Sequence, residues 1–272
     1  MDQTGRSRPA AGLKPETCNT MDYAAFQKKI HSSKQDLCRE VYQENRRSIR
    51  VKKEDKVVKN LERIFEATLR ISNKKGFQAM SMRDLSRETK LSTGALYSYF
   101  SSKEALLGIL QHRRRTITKR ILEAHVAQES NPAAKLHAAV LTHLYLSEAM
   151  QPWFYFSYME AKNLSETEQD LAVDSERYTE KIFEDILREG QDQGCFAARD
   201  PQLTASIIKA MLQDWYLKRS KYAQRNISVD RYGRFVWQFI EAFVSDAGEK
   251  LQTRPTGVEK TEPKGSYPDC VP

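Results

Sequence analysis

Between Gly76 and Leu106 the chain restarts three times: Ser81 stands three residues ahead of Asp84, Ser92 follows Leu91, and Ser101 stands three residues ahead of Glu104. A hydroxyl just before a helix accepts a hydrogen bond from an unpaired backbone N–H of the first turn, and a carboxylate at the third helical position can return one. Each serine therefore reads as the cap of a new helix. Ahead of them, Val58, Leu61, Ile64, Phe65, Thr68 and Leu69 recur at three- and four-residue steps until Gly76 ends the run, which predicts a first helix over about 56–75. The second helix turns Met82, Leu85 and Ser86 inward and stops near Thr89; the third runs from Thr93 to Phe100. The fourth is long, with Leu106, Leu107, Ile109, Leu110, Ile117 and Ile121 along it. Two short helices joined by a turn of three or four residues make a helix-turn-helix, set in a compact three-helix head.

Further helical periods cover about 133–150, 153–162, 167–193, 201–221 and 229–247, broken at Asn131-Pro132, Gln151-Pro152, Gly190 to Gly194 with Asp200-Pro201, and Asn226 to Ser228. With 11 Gly and 9 Pro among 272 residues, and 40% hydrophobic residues to fill a core, the fold class is all-α. The expected organisation is a basic extension over 1–55, disordered or partly helical; a DNA-binding helix-turn-helix over 56–101; a helical ligand-binding and dimerisation body over 102–248; and a disordered tail over 249–272. The first 20 or so residues read as a disordered arm, and Met21 offers a second start. From Lys28 to Lys59 eleven basic residues stand against five acidic ones, either a phosphate-contacting extension or a solvated, partly helical linker.

The net charge of +8, with a pI near 9.2, favours polyanionic partners. No apolar run of about 18 residues exists and the first 30 residues lack a secretory stretch, so the expected location is the cytoplasm, with no membrane partner. Cys18, Cys38, Cys195 and Cys270 are scattered, and His31, His112, His125, His137 and His143 form no HExxH pair, so neither a metal nor a cofactor is implied. No GxSxG, Walker or GxGxxG pattern is present, which argues against an enzyme.

The surface of helix three carries the function. It is free of acids and offers Thr93, Gly94, Ala95, Tyr97, Ser98 and Tyr99, while Leu96 and Phe100 anchor it. Small residues let the backbone approach a groove wall, and hydroxyls bond phosphates or base edges. The stretch Leu91-Ser-Thr-Gly-Ala-Leu-Tyr-Ser-Tyr-Phe-Ser-Ser-Lys-Glu-Ala-Leu106 resembles the helix-turn-helix signature of the TetR family of transcription regulators, and the apolar pattern from Val58 to Leu110 fits the same template. The resemblance implies a DNA-binding head, a helical ligand-binding body and a homodimer on a near-palindromic operator in double-stranded DNA. By position it makes Thr93, Gly94, Ala95, Tyr97 and Ser98 the groove-facing set, with Ser81, Ser92, Tyr99 and Lys103 beside the backbone. Lys90 departs from the pattern, standing where relatives often have Gly in the turn.

In the body, Leu203, Ile207, Ile208, Met211, Leu212 and Trp215 flank one helix on two sides, and a second run from Val229 to Val244 is apolar almost all round. A second apolar stripe asks for a second partner, so a four-helix dimer interface is expected, with Ile208, Met211, Leu212, Val236, Ile240 and Phe243 in it. The aromatic cluster Trp153, Phe154, Tyr155, Phe156, Tyr158 and Met159, with Arg177, Tyr178 and Trp215, forms either a ligand pocket or an ordinary core. The layout is loosely similar to TetR-type regulators of fatty-acid and lipid degradation, implying an apolar or acyl-type effector. The expected function is a sequence-specific repressor released by that effector; the alternative is a non-sensing architectural DNA-binding protein.

Overall fold

The computed structural model describes residues 22–31, 33–44, 46, 49 and 53–245. The expected N-terminal arm and C-terminal tail, and part of the basic lead-in, lie outside these residues. Among the described residues the chain is helical throughout with no strand: α1 Tyr23–His31, α2 Ser33–Glu44, α3 Glu54–Lys75, α4 Met82–Thr89, α5 Thr93–Leu96, α6 Lys103–Val126, α7 Pro132–Ala149, α8 Gln151–Met159, α9 Glu166–Asp192, α10 Pro201–Leu217, α11 Arg219–Gln224 and α12 Val229–Ser245.

Capping chemistry sets most of these boundaries. The Ser81 Oγ accepts from the Asp84 N–H at 3.1 Å while the Asp84 carboxylate accepts from the Ser81 N–H at 3.0 Å. Ser92, Asn131, Ser165 and Asp200 cap α5, α7, α9 and α10 by accepting from a first-turn N–H, without the returning bond. The fourth start falls one residue later than the sequence implied: Ser102, not Ser101, accepts from the Ala105 N–H and opens α6. Helix three is also shorter. After Leu96 the hydrogen bonds tighten to Ser98 N–H onto Ala95 O and Tyr99 N–H onto Leu96 O, a single tight turn in place of continued α-helix.

The apolar faces meet in two cores. The head core joins α3 (Val57, Leu61, Ile64, Phe65) to Leu85 of α4, Leu96 of α5 and the first turns of α6 (Leu106, Leu107, Leu110). The body core joins the rest of α6 (Ile117, Leu122) to α7, α9, α10 and α12. The N-terminal helices belong to both cores. Phe26 and Ile30 of α1 are buried in the body, and Cys38, Val41 and Tyr42 of α2 in the head. The sequence implies a basic extension, disordered or partly helical; the helices are there, and the i, i+4 pair Phe26–Ile30 and the Cys38–Val41–Tyr42 stripe behind the charges bury them. Burial pushes the Cys38 thiol up to about 12.

Charged contacts hold this strap in place. The buried Arg113 of α6 pairs with Glu40 at 3.2 Å and Glu44 at 3.4 Å, and Arg120 pairs with Glu40 at 2.7 Å. At the other end Asp230 of α12 accepts from the Tyr23 N–H at 3.0 Å and the Tyr145 hydroxyl at 2.7 Å.

Candidate functional site

The head presents α5 on its outside. Thr93, Ala95 and Ser98 are half-buried, Gly94 and Tyr97 exposed, and Leu96 and Phe100 anchor the segment underneath. A Cβ built on Gly94 meets nothing within 4 Å, so neither packing nor backbone angle requires glycine there. The face is open to another surface. The turn before it depends on Lys90, whose φ of 54° and ψ of 26° place it in the left-handed region, at a cost of about 1 kcal/mol against glycine.

Two residues expected beside the DNA backbone are committed to the protein instead. Tyr99 is buried and its hydroxyl accepts from the Asn60 amide at 2.6 Å. Lys103 donates to the carbonyls of Gln78 and Met80 at 3.0 and 3.1 Å and lies 4.9 Å from the centre of the Phe77 ring, so it closes the loop between α3 and α4. The reason is tertiary: Asn60 of α3 and the carbonyls of the α3–α4 loop, far along the chain, reach these two side chains first. Ser81 and Ser92 are exposed but occupied as caps. Arg83 and Arg87, exposed cations on α4, were not singled out from the sequence, and Lys90 only for its place in the turn, although these basic side chains beside an acid-free α5 were a visible signal. Arg87 pairs with Asp84, whose carboxyl is held well below the usual range by its Lys75 hydrogen bond and then by those from Ser81.

The expected aromatic cluster does not converge on one cavity. Successive helical residues point about 100° apart, so a contiguous run must divide among faces. On α8, Phe154 enters the body core, Phe156 enters the head core, Trp153 packs against both, Tyr155 is half-buried, and Tyr158 and Met159 face outward. Arg177 is exposed near Asp174, and Tyr178 hydrogen-bonds Glu123 under Lys119. Trp215 stacks with Tyr222 and Tyr232 at 5.0 and 4.9 Å and donates to Glu148 at 3.0 Å, in an aromatic group tying α10, α11 and α12 together.

What α8 does instead is join the two cores. The ring of Phe156 stands edge-on to Phe77 at 5.8 Å, Trp153 stands edge-on to Phe65 at 5.8 Å, and the buried Glu160 at its end accepts from the Phe77 N–H at 2.9 Å. On the body side Phe154 meets Tyr216 at 5.3 Å and His143 at 5.8 Å.

Of the residues expected in a dimer interface, Ile208, Leu212, Val236 and Ile240 are buried within the protomer's own core, Met211 is half-buried, and Phe243 is exposed. The outward stripe is the neighbouring one: Leu203 and Ile207 on α10, with Phe235, Phe239 and Phe243 on α12. Each helix has two apolar stripes, and periodicity does not say which is spent on the chain's own core.

Comparison with known proteins falls on these same two cores. A family model described as bacterial regulatory proteins of the tetR family matches residues 64–108, and one described as the tetracyclin repressor-like C-terminal domain matches residues 129–219. The chain belongs to the TetR family. Among curated relatives, HbdR, an HTH-type transcriptional regulator of Aromatoleum sp. (strain CIB), is 20% identical over 191 residues, which are 70% of this chain and 83% of that protein. A regulatory protein of the TetR family from Rhodococcus RHA1 superposes with a TM-score of 0.60 at 20% identity, covering 67% of this chain and 97% of its own. The structure of AibR in complex with isovaleryl coenzyme A and operator DNA superposes with a TM-score of 0.59 at 17% identity, covering 68% and 97%. This TetR-family chain is thus a DNA-binding regulator by family. Among the described residues no helix is long and apolar enough to cross a membrane, and no cluster of metal-ligating side chains occurs.

Proposed function

We propose that this chain is a homodimeric repressor that leaves a near-palindromic operator when an apolar, acyl-type effector enters its body. Thr93, Gly94, Ala95, Tyr97 and Ser98 are assigned to the major groove, with Ser81, Ser92, Arg83 and Lys90 along the backbone. Two copies join through the outward stripe of α10 and α12, which carries five large exposed apolar side chains on adjacent helices. AibR, whose structure holds both an acyl-coenzyme A and operator DNA, supports an acyl-type effector.

The observation that carries the reading is the shared helix α8, whose Phe154 and Phe156 lie in different cores. An effector that shifts α8 at Phe154 moves Phe156 and Glu160 against the head. The long α6, with Leu110 in the head and Ile117 in the body, carries the same displacement as a lever. The effector acts only through its different affinity for the two head spacings, typically about 1 to 3 kcal/mol of coupling. The architectural alternative is favoured if the basic 28–59 segment dominates affinity; the packing of its Val41 and Tyr42 into the head core weighs toward the regulator.

The test is selection of bound sequences from random duplexes by the purified protein, with Tyr97→Ala as a control, followed by titration of acyl compounds against the selected complex. A palindromic motif lost in Tyr97→Ala, and operator release by a bound acyl compound, are the expected results. Binding without sequence preference would return weight to the architectural reading, and operator affinity unchanged by a tight binder would remove the sensing step.

A further inference from the structure

The body core contains polar groups that its packing leaves unanswered. The buried Nε of Arg114 (α6), Nδ1 of His143 (α7) and Oγ of Ser157 (α8) have no hydrogen-bond partner among the described residues. The Arg114 guanidinium rests 5.6 Å from the Phe154 ring centre, and among the described residues no carboxylate lies within ion-pair distance of it. Across the same interior, the buried Lys209 of α10 donates to Thr179 at 2.7 Å and to Glu176 at 2.9 Å. Glu176 is shared further with Gln213, so the carboxylate whose charge acts on Arg114 is already spent on two donors.

A buried donor left unmade costs about 1–3 kcal/mol, more when charged, and natural cores rarely tolerate several together without a use. A guanidinium and an ammonium facing one interior from two helices, with an aromatic wall at Phe154 and Tyr216, is the donor set that receives an oxyanion borne on an apolar body. We propose that the interior of the body is an oxyanion site in which Arg114 and Lys209 hold the carboxylate or phosphate of an amphiphilic effector, with His143 and Ser157 as neutral partners.

Burial, then the charges of Lys209 and Arg114, keep His143 well below its ordinary pKa, so it meets the anion as a neutral imidazole able to donate one N–H. Glu176, whose side chain reaches the surface, occupies Lys209 in the meantime, and the incoming anion takes its place. Glu180 also acts on Lys209, and Arg115, beside Arg114, faces Glu168, so neither supplies the missing partner of Arg114. Phe154 touches both Arg114 and His143, which puts the anion against the helix shared with the head.

The inference rests on the reading that the body binds an acyl-type effector, and the experiment separates the two. Calorimetric titration of the full chain is run with decanoate, methyl decanoate and decanoyl-coenzyme A, beside Arg114→Met and Lys209→Gln. Decanoate or decanoyl-coenzyme A is expected to bind at least tenfold more tightly than the ester; preference for the free acid assigns the site to a carboxylate, and preference for the thioester assigns it to the phosphates. Both variants should lose that preference, at roughly 10- to 100-fold in affinity. Arg114→Met should also raise Tm without ligand, because it removes an unpaired buried charge. Equal binding of acid and ester, with operator release by both, overturns the oxyanion site while leaving the effector reading intact. Binding by none of the three overturns both. A lower Tm for Arg114→Met with unchanged ligand preference would make Arg114 a structural residue and overturn the proposal.

Discussion

Phe239 offers a quantitative test of the dimer face. Its side chain is 56% exposed on α12, between Phe235 at 69% and Phe243 at 43%. Taking an aromatic side chain at about 200 Å², some 110 Å² of Phe239 remains to be covered, worth about 2.8 kcal/mol at ~25 cal/mol/Å². Alanine keeps part of that contact, so Phe239→Ala should lose about 2 kcal/mol per protomer. A two-fold axis counts each substitution twice, giving about 4 kcal/mol per dimer. At about 1.4 kcal/mol per tenfold, the dimer dissociation constant should rise by 10² to 10³. Sedimentation equilibrium at micromolar concentrations measures it directly. The same substitution should leave the protomer's fold unperturbed, whereas Ile240→Ala, one residue on but buried, should destabilise the fold by about 2–5 kcal/mol. A wild-type chain that sediments as a monomer, or a Phe239→Ala dimer weakened by less than about threefold, would refute the reasoning.

Four other outcomes follow from particular contacts. Tyr97→Ala should weaken specific operator binding by about 1–3 kcal/mol without shifting Tm, as read by fluorescence anisotropy on the selected operator. Lys90→Gly should raise Tm by the equivalent of up to about 1 kcal/mol, because glycine accepts the left-handed angles at no steric cost. Phe26→Ala should destabilise the protein by about 3–5 kcal/mol in denaturant titration, since its ring is buried in the body core although it precedes the head in the chain. Glu160→Ala leaves the buried Phe77 N–H without its acceptor; it should cost about 1–3 kcal/mol of stability and reduce the effect of effector on operator affinity while effector binding persists, measured by paired titrations.

Much of this protein was legible in one dimension because its signals are local. The Ser81–Asp84 capping box, the Ser92 cap, the left-handed Lys90 and the alternation of Leu96 with Phe100 involve residues within four positions of each other, and local hydrogen bonding and helical periodicity decide them. The same locality makes the family signature readable. Where the reading failed, the deciding partner lay far along the chain. Tyr99 lost its place beside DNA to Asn60, and Lys103 to the carbonyls of Gln78 and Met80. Phe154 and Phe156 parted because two different cores lay on either side of α8, and the charged α1 and α2 became part of those cores because Arg113 and Asp230 stood ready to pair with them. The sequence by itself determined the helical class, the starts of α4, α5 and α10 and the apolar stripes along α3, α10 and α12, since those depend on spacing along the backbone. Only the tertiary structure decided which apolar face is spent inside the protomer and which is left for a second copy, and which buried cations are paired. Those outcomes depend on distances between helices that no local period encodes.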